Sequence, residues 1–319
     1  MKLKKWYILI SLIGAILGFA TLLLTKQGSE GNKKEIGIIQ IAEHDCLDEA
    51  RRGFIEGLSE QGYNDGDNIK IDYQNAQGDQ SVCNSIADSF VQTKDSLILA
   101  ISTPAAQSVS NATDEIPILI TAVTDPKSCG LNAKNITGTS DMVPVEKQIG
   151  LIKRLLPKTK KIGILYCSGE INSKYQAEAA SAEAKKLDMV AEDYTVSNSN
   201  ELSQVAEYAA KSVDVIFVPT DNLVVSCMPM VSRVAMKNMV PIICSEVASV
   251  KNGALATYGM DYYKLGKITA NQAVQILKYG RRPEDIPIEH LENVKLTVNQ
   301  DTAQKLGIEI PDEMKGELE

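Results

Sequence analysis

Short apolar runs and amphipathic stretches alternate along the chain. The runs 36–42 and 69–76 predict strands, and the apolar residues between them recur at helical spacing up to Gly62. Further apolar runs at 96–102 and 116–124 continue the alternation. Strands that alternate with helices predict right-handed βαβ units and a parallel sheet.

A second series of the same elements follows the first. Apolar runs at 161–167, 189–196, 213–220 and 240–246 parallel those of the first half, and 253–260 adds a strand. The predicted helices beyond residue 160 include 172–187, 222–238 and 262–279. The repeated order predicts an α/β protein of two doubly wound parallel-sheet lobes. The remaining tail is long enough to cross back between them and form a hinge of several segments.

The pattern divides the chain into three parts. Residues 1–34 are predicted to form a cytoplasmic stub, a membrane anchor or signal, and a polar tether. Lobe one is predicted to comprise 36–141 plus 260–286, and lobe two 142–259 plus 287–313.

The N-terminus has a basic start followed by an uncharged apolar run. Residues 1–5 contain three lysines, and residues 6–25 carry no charge. A run of about 20 apolar residues can span a bilayer, and the lysines place the start in the cytoplasm. We favour an uncleaved anchor that leaves the folded part outside the cell, with a cleaved signal peptide as the alternative.

Charge and motif content exclude several classes of function. The 319 residues carry a formal net charge of −8 and show no basic stripe, which argues against a nucleic-acid partner. Neither a glycine-rich phosphate loop nor a catalytic triad or metal-ligand set follows the predicted strands. We therefore expect no enzyme and no cofactor.

Ligands of open parallel sheets bind beyond the carboxyl ends of the strands, so two such sheets predict a shared cleft. The candidate ligand contacts of lobe one are Gln40, Glu43, Ser102, Thr103, Ala105, Thr121 and Asp125. Those of lobe two are Ser168, Asn172, Ser173, Asp221, Asn222, Glu246 and Tyr258.

The residue types suggest how a small zwitterion would be divided between the lobes. Ser102 and Thr103 open a helix whose free N–H groups suit a carboxylate, although a simple helix cap is the alternative. Asp221 or Glu246 would pair with an ammonium group, unless each caps a helix or carries a solvated charge. Tyr258 would flank an aromatic ligand or belong to the core.

The six cysteines and two histidines allow further alternatives. Cys46 and Cys83 follow the first two strands, and a disulfide between them is compatible with an extracellular location. Buried free thiols are the alternative. His44 lies between two acidic residues, and we expect a loop histidine with satisfied hydrogen bonds rather than a metal ligand.

Several long motifs occur in order: "GIIQIAEH", "KIDYQNAQGDQS", "TPAAQ", "VPTDN" and "GALATYGMDYYKLG". With them the chain resembles the tryptophan/tyrosine-type ABC transporter substrate-binding family over about residues 36–312. It departs from the family pattern at "HDC" (44–46), where many members have His-Pro-Ala, and it lacks the cysteine of a lipoprotein signal.

The resemblance implies a type I periplasmic-binding fold whose two lobes close by hinge motion on a small molecule. It also implies partners, namely an amino-acid ligand, with an aromatic one favoured, and an ABC permease with its ATPase. The alternatives are a membrane-anchored sensor domain or a different ligand such as a nucleoside.

Overall fold

A computed structural model describes residues 33–291 and 294–317. It contains two six-stranded sheets flanked by helices, which confirms the predicted two-lobed α/β fold. Within those two ranges, no helix combines the length and the apolar character needed to cross a bilayer. The predicted anchor at 6–25 lies outside the described residues and stays a prediction.

The strands in chain order are β1 (Lys34–Gln40), β2 (Ile69–Asn75), β3 (Leu97–Ile101), β4 (Ile118–Val123), β5 (Ile136–Ser140), β6 (Lys161–Cys167), β7 (Val190–Val196), β8 (Val215–Val218), β9 (Ile242–Cys244), β10 (Ala256–Gly259), β11 (Glu289–His290) and β12 (Lys295–Val298). The α-helices are α1 (Asp45–Glu60), α2 (Gln80–Thr93), α3 (Thr103–Ala112), α4 (Val145–Leu155), α5 (Ile171–Lys186), α6 (Ser199–Ala210), α7 (Asn222–Ser226), α8 (Met228–Lys237), α9 (Val247–Lys251), α10 (Tyr262–Tyr279), α11 (Gln300–Leu306) and α12 (Asp312–Lys315). A short 3-10 helix spans Pro283–Asp285.

The two sheets have the same plan. Lobe one has the strand order β11-β5-β4-β3-β1-β2, and every neighbouring pair is parallel. Lobe two has the order β12-β10-β9-β8-β6-β7, in which only the β10–β12 pair is antiparallel. In lobe one, α1 and α10 cover one face of the sheet and α2 and α3 cover the other. Burial on both faces explains why β3 and β4 are continuously apolar rather than alternating.

The chain crosses between the lobes three times, after β5, after β10 and after β11. The predicted end of lobe one at residue 286 is too early. Glu289 and His290 still pair with Thr139 and Ser140 of β5, so the third crossing comes after His290.

Two local features differ from the sequence pattern. The helix predicted over 222–238 is two helices, α7 and α8, separated at Cys227. Pro229 stands in the first turn of α8, where a missing N–H is tolerated. In the interior of one long helix a proline would break the hydrogen-bond pattern. Strand β5 has no counterpart among the predicted strands, because "ITGTS" is short, polar and contains glycine.

Helices α1 and α10 approach so closely that glycine is required at their contact. A Cβ atom on Gly266 would lie 2.0 Å from the backbone oxygen of Ala50, and one on Gly53 would lie 2.1 Å from that of Tyr263. Gly266→Ala should therefore lower the free energy of unfolding by about 1–3 kcal/mol, measured by urea denaturation. Gly150→Ala on α4 is the matched control, since its Cβ would meet no atom within 4 Å. Equal stabilities of the two variants would contradict this packing.

Candidate functional site

The site lies between the lobes, where helices begin at the carboxyl ends of the parallel strands. We call this region the interlobe cleft. The residues that precede α1, α3, α5, α7 and α9 all lie there and are buried. They are His44, Ser102, Glu170, Asp221 and Glu246. The cleft is thus built from helix N-termini of both lobes, which favours binding of a small polar ligand.

Four buried carboxyl groups occupy the cleft, from Asp141, Glu170, Asp221 and Glu246. Burial, and then repulsion by Asp141, raises the pKa of Glu246 to about 8. Burial and the Asp221 charge raise the pKa of Glu170 to about 8 as well. The fully buried residues of ranges 33–291 and 294–317 include no lysine or arginine to balance these acids. The cleft therefore favours a cationic group.

Two of the four acids are committed to hydrogen bonds within lobe two. The Asp221 carboxylate accepts hydrogen bonds from the backbone N–H groups of Cys167, at 2.6 Å, and Val224, at 2.8 Å. The Glu170 carboxylate accepts from the backbone N–H groups of Asn222 and Leu223, both at 3.1 Å. These bonds fix the loop after β6 against the start of α7.

The other two acids keep a free oxygen. Glu246 Oε2 is buried and has no hydrogen-bond partner among the described residues. Asp141 Oδ2 accepts a 2.8 Å hydrogen bond from the Tyr262 hydroxyl, whereas its Oδ1 likewise has none. Burial raises the pKa of Asp141. These two oxygens are the groups in the cleft best placed to accept hydrogen bonds from a bound cation.

Lobe one also contributes buried polar atoms without partners. Ser102 has a backbone φ of +94°, in a region that non-glycine residues rarely adopt, and its Oγ makes no hydrogen bond in the described structure. The first turn of α3 has no side-chain cap, so its N–H groups are available to a ligand. Gln40 donates to the carbonyl of Ala42 at 2.7 Å and to Asp48 at 2.9 Å, which leaves its Oε1 free. A strained backbone such as that of Ser102 is characteristic of binding sites.

His44 is not the satisfied loop histidine expected from the sequence. It is buried, and neither ring nitrogen has a hydrogen-bond partner of normal geometry in the part of the chain described. Burial lowers its pKa to about 4, so the imidazole is neutral at physiological pH. The Asn222 side chain of lobe two approaches the ring and partly offsets that shift.

Other predicted contacts lie at the same cleft. Asn172 and Ser173 donate to the Thr220 carbonyl, at 2.8 and 3.0 Å, and Asn172 Oδ1 remains free. Glu43 and Ser168 are exposed at the outer edge. Thr103 and Ala105 are buried in the first turn of α3.

Three predicted contacts point elsewhere. The Thr121 hydroxyl accepts a 3.0 Å hydrogen bond from Thr139, beneath α10. Asp125 closes its own turn by accepting from Lys127 and Ser128. The Tyr258 hydroxyl bonds to Arg154 and Glu317, each at 2.6 Å.

The considered disulfide is not formed, since Cys46 and Cys83 are both buried free thiols. Cys46 lies on α1 and Cys83 on α2, and these helices cover opposite faces of the sheet. The Cys46 thiol instead faces Glu246 across the cleft.

A cavity of about 630 Å³ opens from the cleft. Both lobes line it, with Ala42 and Pro104 on one side and Gly169, Asn222 and Leu223 on the other. Its size is within the range of small-molecule sites.

The sequence interpretation omitted Asp141, Glu170 and His44 from the candidate contacts. Asp141 follows β5, the unrecognised strand, and recognising that strand would have revealed it. Glu170 stands in the loop after β6, at the same kind of strand end as the chosen residues.

Comparison with known proteins agrees with this geometry. The family described as ABC transporter substrate binding protein matches residues 35–317. A tyrosine-binding protein of Clostridioides difficile is 43% identical over 97% of this chain and 94% of its own.

Two solved structures differ informatively in their fit. A Streptococcus pneumoniae ABC domain in complex with L-Trp is 37% identical, covers 90% of this chain and 98% of its own, and superimposes with a TM-score of 0.86. The ligand-free, open structure of a Clostridium difficile substrate-binding protein with adhesive properties is 44% identical and covers 88% and 96%. Its TM-score is 0.65.

Proposed function

The chain belongs to the family of ABC transporter substrate-binding proteins, and from this premise we propose that it captures an aromatic amino acid between its lobes for an ABC permease. Members of this family are extracytoplasmic receptors rather than enzymes.

The observation that carries the proposal is the convergence of unpartnered polar atoms from both lobes. Ser102 Oγ and His44 come from lobe one, and Asn172 Oδ1 and Glu246 Oε2 come from lobe two. A buried polar atom without a partner costs about 1–3 kcal/mol. A ligand with several donors and acceptors, enclosed by both lobes, would satisfy them together.

The carboxyl groups suggest the orientation of that ligand. Its ammonium group would lie against Glu246 and Asp141, each of which has a free oxygen. Its carboxylate would accept from Ser102 and the uncapped N–H groups of α3. Asp221, the sequence-based choice for the ammonium, would support the site from behind, because both its oxygens already accept backbone hydrogen bonds.

The lobe arrangement supports a closed conformation. The less identical Trp-bound relative superimposes better than the more identical open relative. A difference in lobe orientation explains why the more identical structure has the lower TM-score, because rotating one lobe displaces half of the chain. One contact across the cleft agrees with closure: Gln176 of lobe two donates to Thr124 of lobe one at 3.3 Å. Hinge closure is the family's means of signalling to a permease.

Thermal unfolding of the full chain in detergent, against the twenty amino acids and common nucleosides, tests the ligand class. A ligand that binds only the folded state adds about 2.7 kcal/mol at 100 times its dissociation constant. We expect tyrosine, tryptophan or phenylalanine to raise the midpoint most. A rise with a nucleoside alone would contradict the amino-acid assignment.

The buried acids predict how stability depends on pH without ligand. The pKa of Glu246 is about 8 in the folded protein against an ordinary value of 4.5, so the folded state binds more protons between these values. The stability contributed by this group is therefore present below pH 4.5 and is lost as pH rises through 8. We expect the unfolding midpoint to fall between pH 5 and 9, and to fall less in Glu246→Gln. Identical slopes for the two proteins would contradict the burial of an uncompensated Glu246.

A further inference from the structure

Three metal-ligating side chains meet at the interlobe cleft. His44 precedes α1 and Cys46 lies in its first turn, both in lobe one, whereas Glu246 precedes α9 in lobe two. One donor atom from each of the three lies within 4.8 Å of the other two, and all three residues are buried.

The donor atoms are available as well as close. Both nitrogens of His44 and the Oε2 atom of Glu246 lack hydrogen-bond partners within the described ranges. The Cys46 thiol faces Glu246, and the neighbouring Asp141 adds negative charge. A neutral imidazole, a thiol and a carboxyl group provide the nitrogen, sulfur and oxygen ligands that zinc prefers.

We propose that His44, Cys46 and Glu246 form a site for a divalent transition metal of the zinc class that links the two lobes. Tetrahedral zinc places its ligand atoms about 3.3–3.8 Å apart, so donors within 4.8 Å of one another need to approach by at most about 1–1.5 Å. Binding would release two protons to solvent, one from the Cys46 thiol and one from the Glu246 carboxyl, because the thiolate and the carboxylate are the ligand forms. A fourth position would stay open to water or another small ligand.

The site has a consequence for the receptor. Glu246 would serve either the metal or the ammonium group of an amino acid, so the two occupants would compete. A bound metal would hold the lobes together in the absence of an amino acid. The inference rests on the donor atoms rather than on the proposed function, and it is tested with metal alone, so the two can fail separately.

Titration of the full chain in detergent with Co²⁺, with the thiols kept reduced, tests the site. We expect one equivalent to bind with a thiolate-to-cobalt charge-transfer band, and one equivalent of Zn²⁺ to displace it. Cys46→Ser should remove the band, and His44→Gln should weaken Co²⁺ binding by at least about 100-fold.

Cys83→Ser is the matched control, since it removes another buried free thiol of lobe one, on the opposite face of the sheet. It should bind Co²⁺ as the unmodified chain does. Circular dichroism shows whether each variant folds. If Cys46→Ser does not fold, the Co²⁺ affinity of His44→Gln tests the site instead. A chain that gives no charge-transfer band, a band that survives in folded Cys46→Ser, or unchanged Co²⁺ affinity in folded His44→Gln would overturn the proposal.

Discussion

Glu246→Gln is expected to abolish amino-acid binding while the protein remains folded. The substitution keeps the size of the side chain but removes the charge that would face the ligand ammonium. Breaking a buried ion pair by removing one partner costs about 3–5 kcal/mol, which corresponds to a loss of affinity of more than about 100-fold. The fold should tolerate the change, because Glu246 Oε2 accepts no hydrogen bond from the described residues and its burial is itself unfavourable.

Titration calorimetry with tyrosine measures the effect, and Glu43→Gln is the matched control. Glu43 borders the cavity that opens from the cleft and is exposed, so its charge is screened by water. Its substitution should change the affinity by less than about threefold, in line with the small energies of exposed charge pairs. Equal losses in both variants would show that general acidity of the cleft, rather than Glu246, attracts the ligand.

Asp221→Asn is expected to have the opposite effect: a large loss of stability and little change in ligand affinity. Both Asp221 oxygens accept hydrogen bonds from buried backbone N–H groups, those of Cys167 and Val224. An asparagine keeps one acceptor oxygen and turns an NH₂ group towards the other N–H. Leaving a buried donor unsatisfied costs about 1–3 kcal/mol, and losing a charged hydrogen bond adds to it. We expect the free energy of urea unfolding to fall by about 2–4 kcal/mol.

The affinity of the folded Asp221→Asn protein separates the two roles. If Asp221 supports the loop, the fraction that remains folded should bind tyrosine within about tenfold of the unmodified chain, a difference of 1.4 kcal/mol. If stability is unchanged and binding is lost, Asp221 contacts the ammonium directly, as the sequence pattern alone suggested. The affinity of Glu246→Gln for tyrosine, measured in the same buffer, provides the comparison.

The fold was largely predictable because both lobes repeat one strand–helix pattern. Central strands such as β3 and β4 are buried on both faces, so their apolar runs stand out against the helices between them. Apolar periodicity does not detect strand β5, because its polar "ITGTS" is buried through pairs such as Thr139 with Thr121. The sequence pattern places the third crossing too early because β11 has only two residues.

The location of the site was also predictable, since the rule of strand ends applies to each lobe. The roles of individual residues were less so, because a carboxylate at a strand end can face a ligand or cap a helix. Asp221 and Glu246 stand at equivalent places in the sequence pattern. Only the hydrogen bonds distinguish them: the Asp221 side chain accepts from Val224 in its own helix, whereas Glu246 makes no such cap.

The central claim is that the cleft binds both charged ends of an amino acid. Calorimetric titration of the full chain in detergent with tyrosine, tyramine and 3-(4-hydroxyphenyl)propionate tests it most directly. Tyramine lacks the carboxylate, and the propionate lacks the ammonium group. We predict that tyrosine binds one to one and that each analogue binds at least about 100-fold more weakly, a loss of 2.8 kcal/mol or more. Binding of either analogue within about tenfold of tyrosine would contradict the division of the zwitterion between Glu246 and the start of α3.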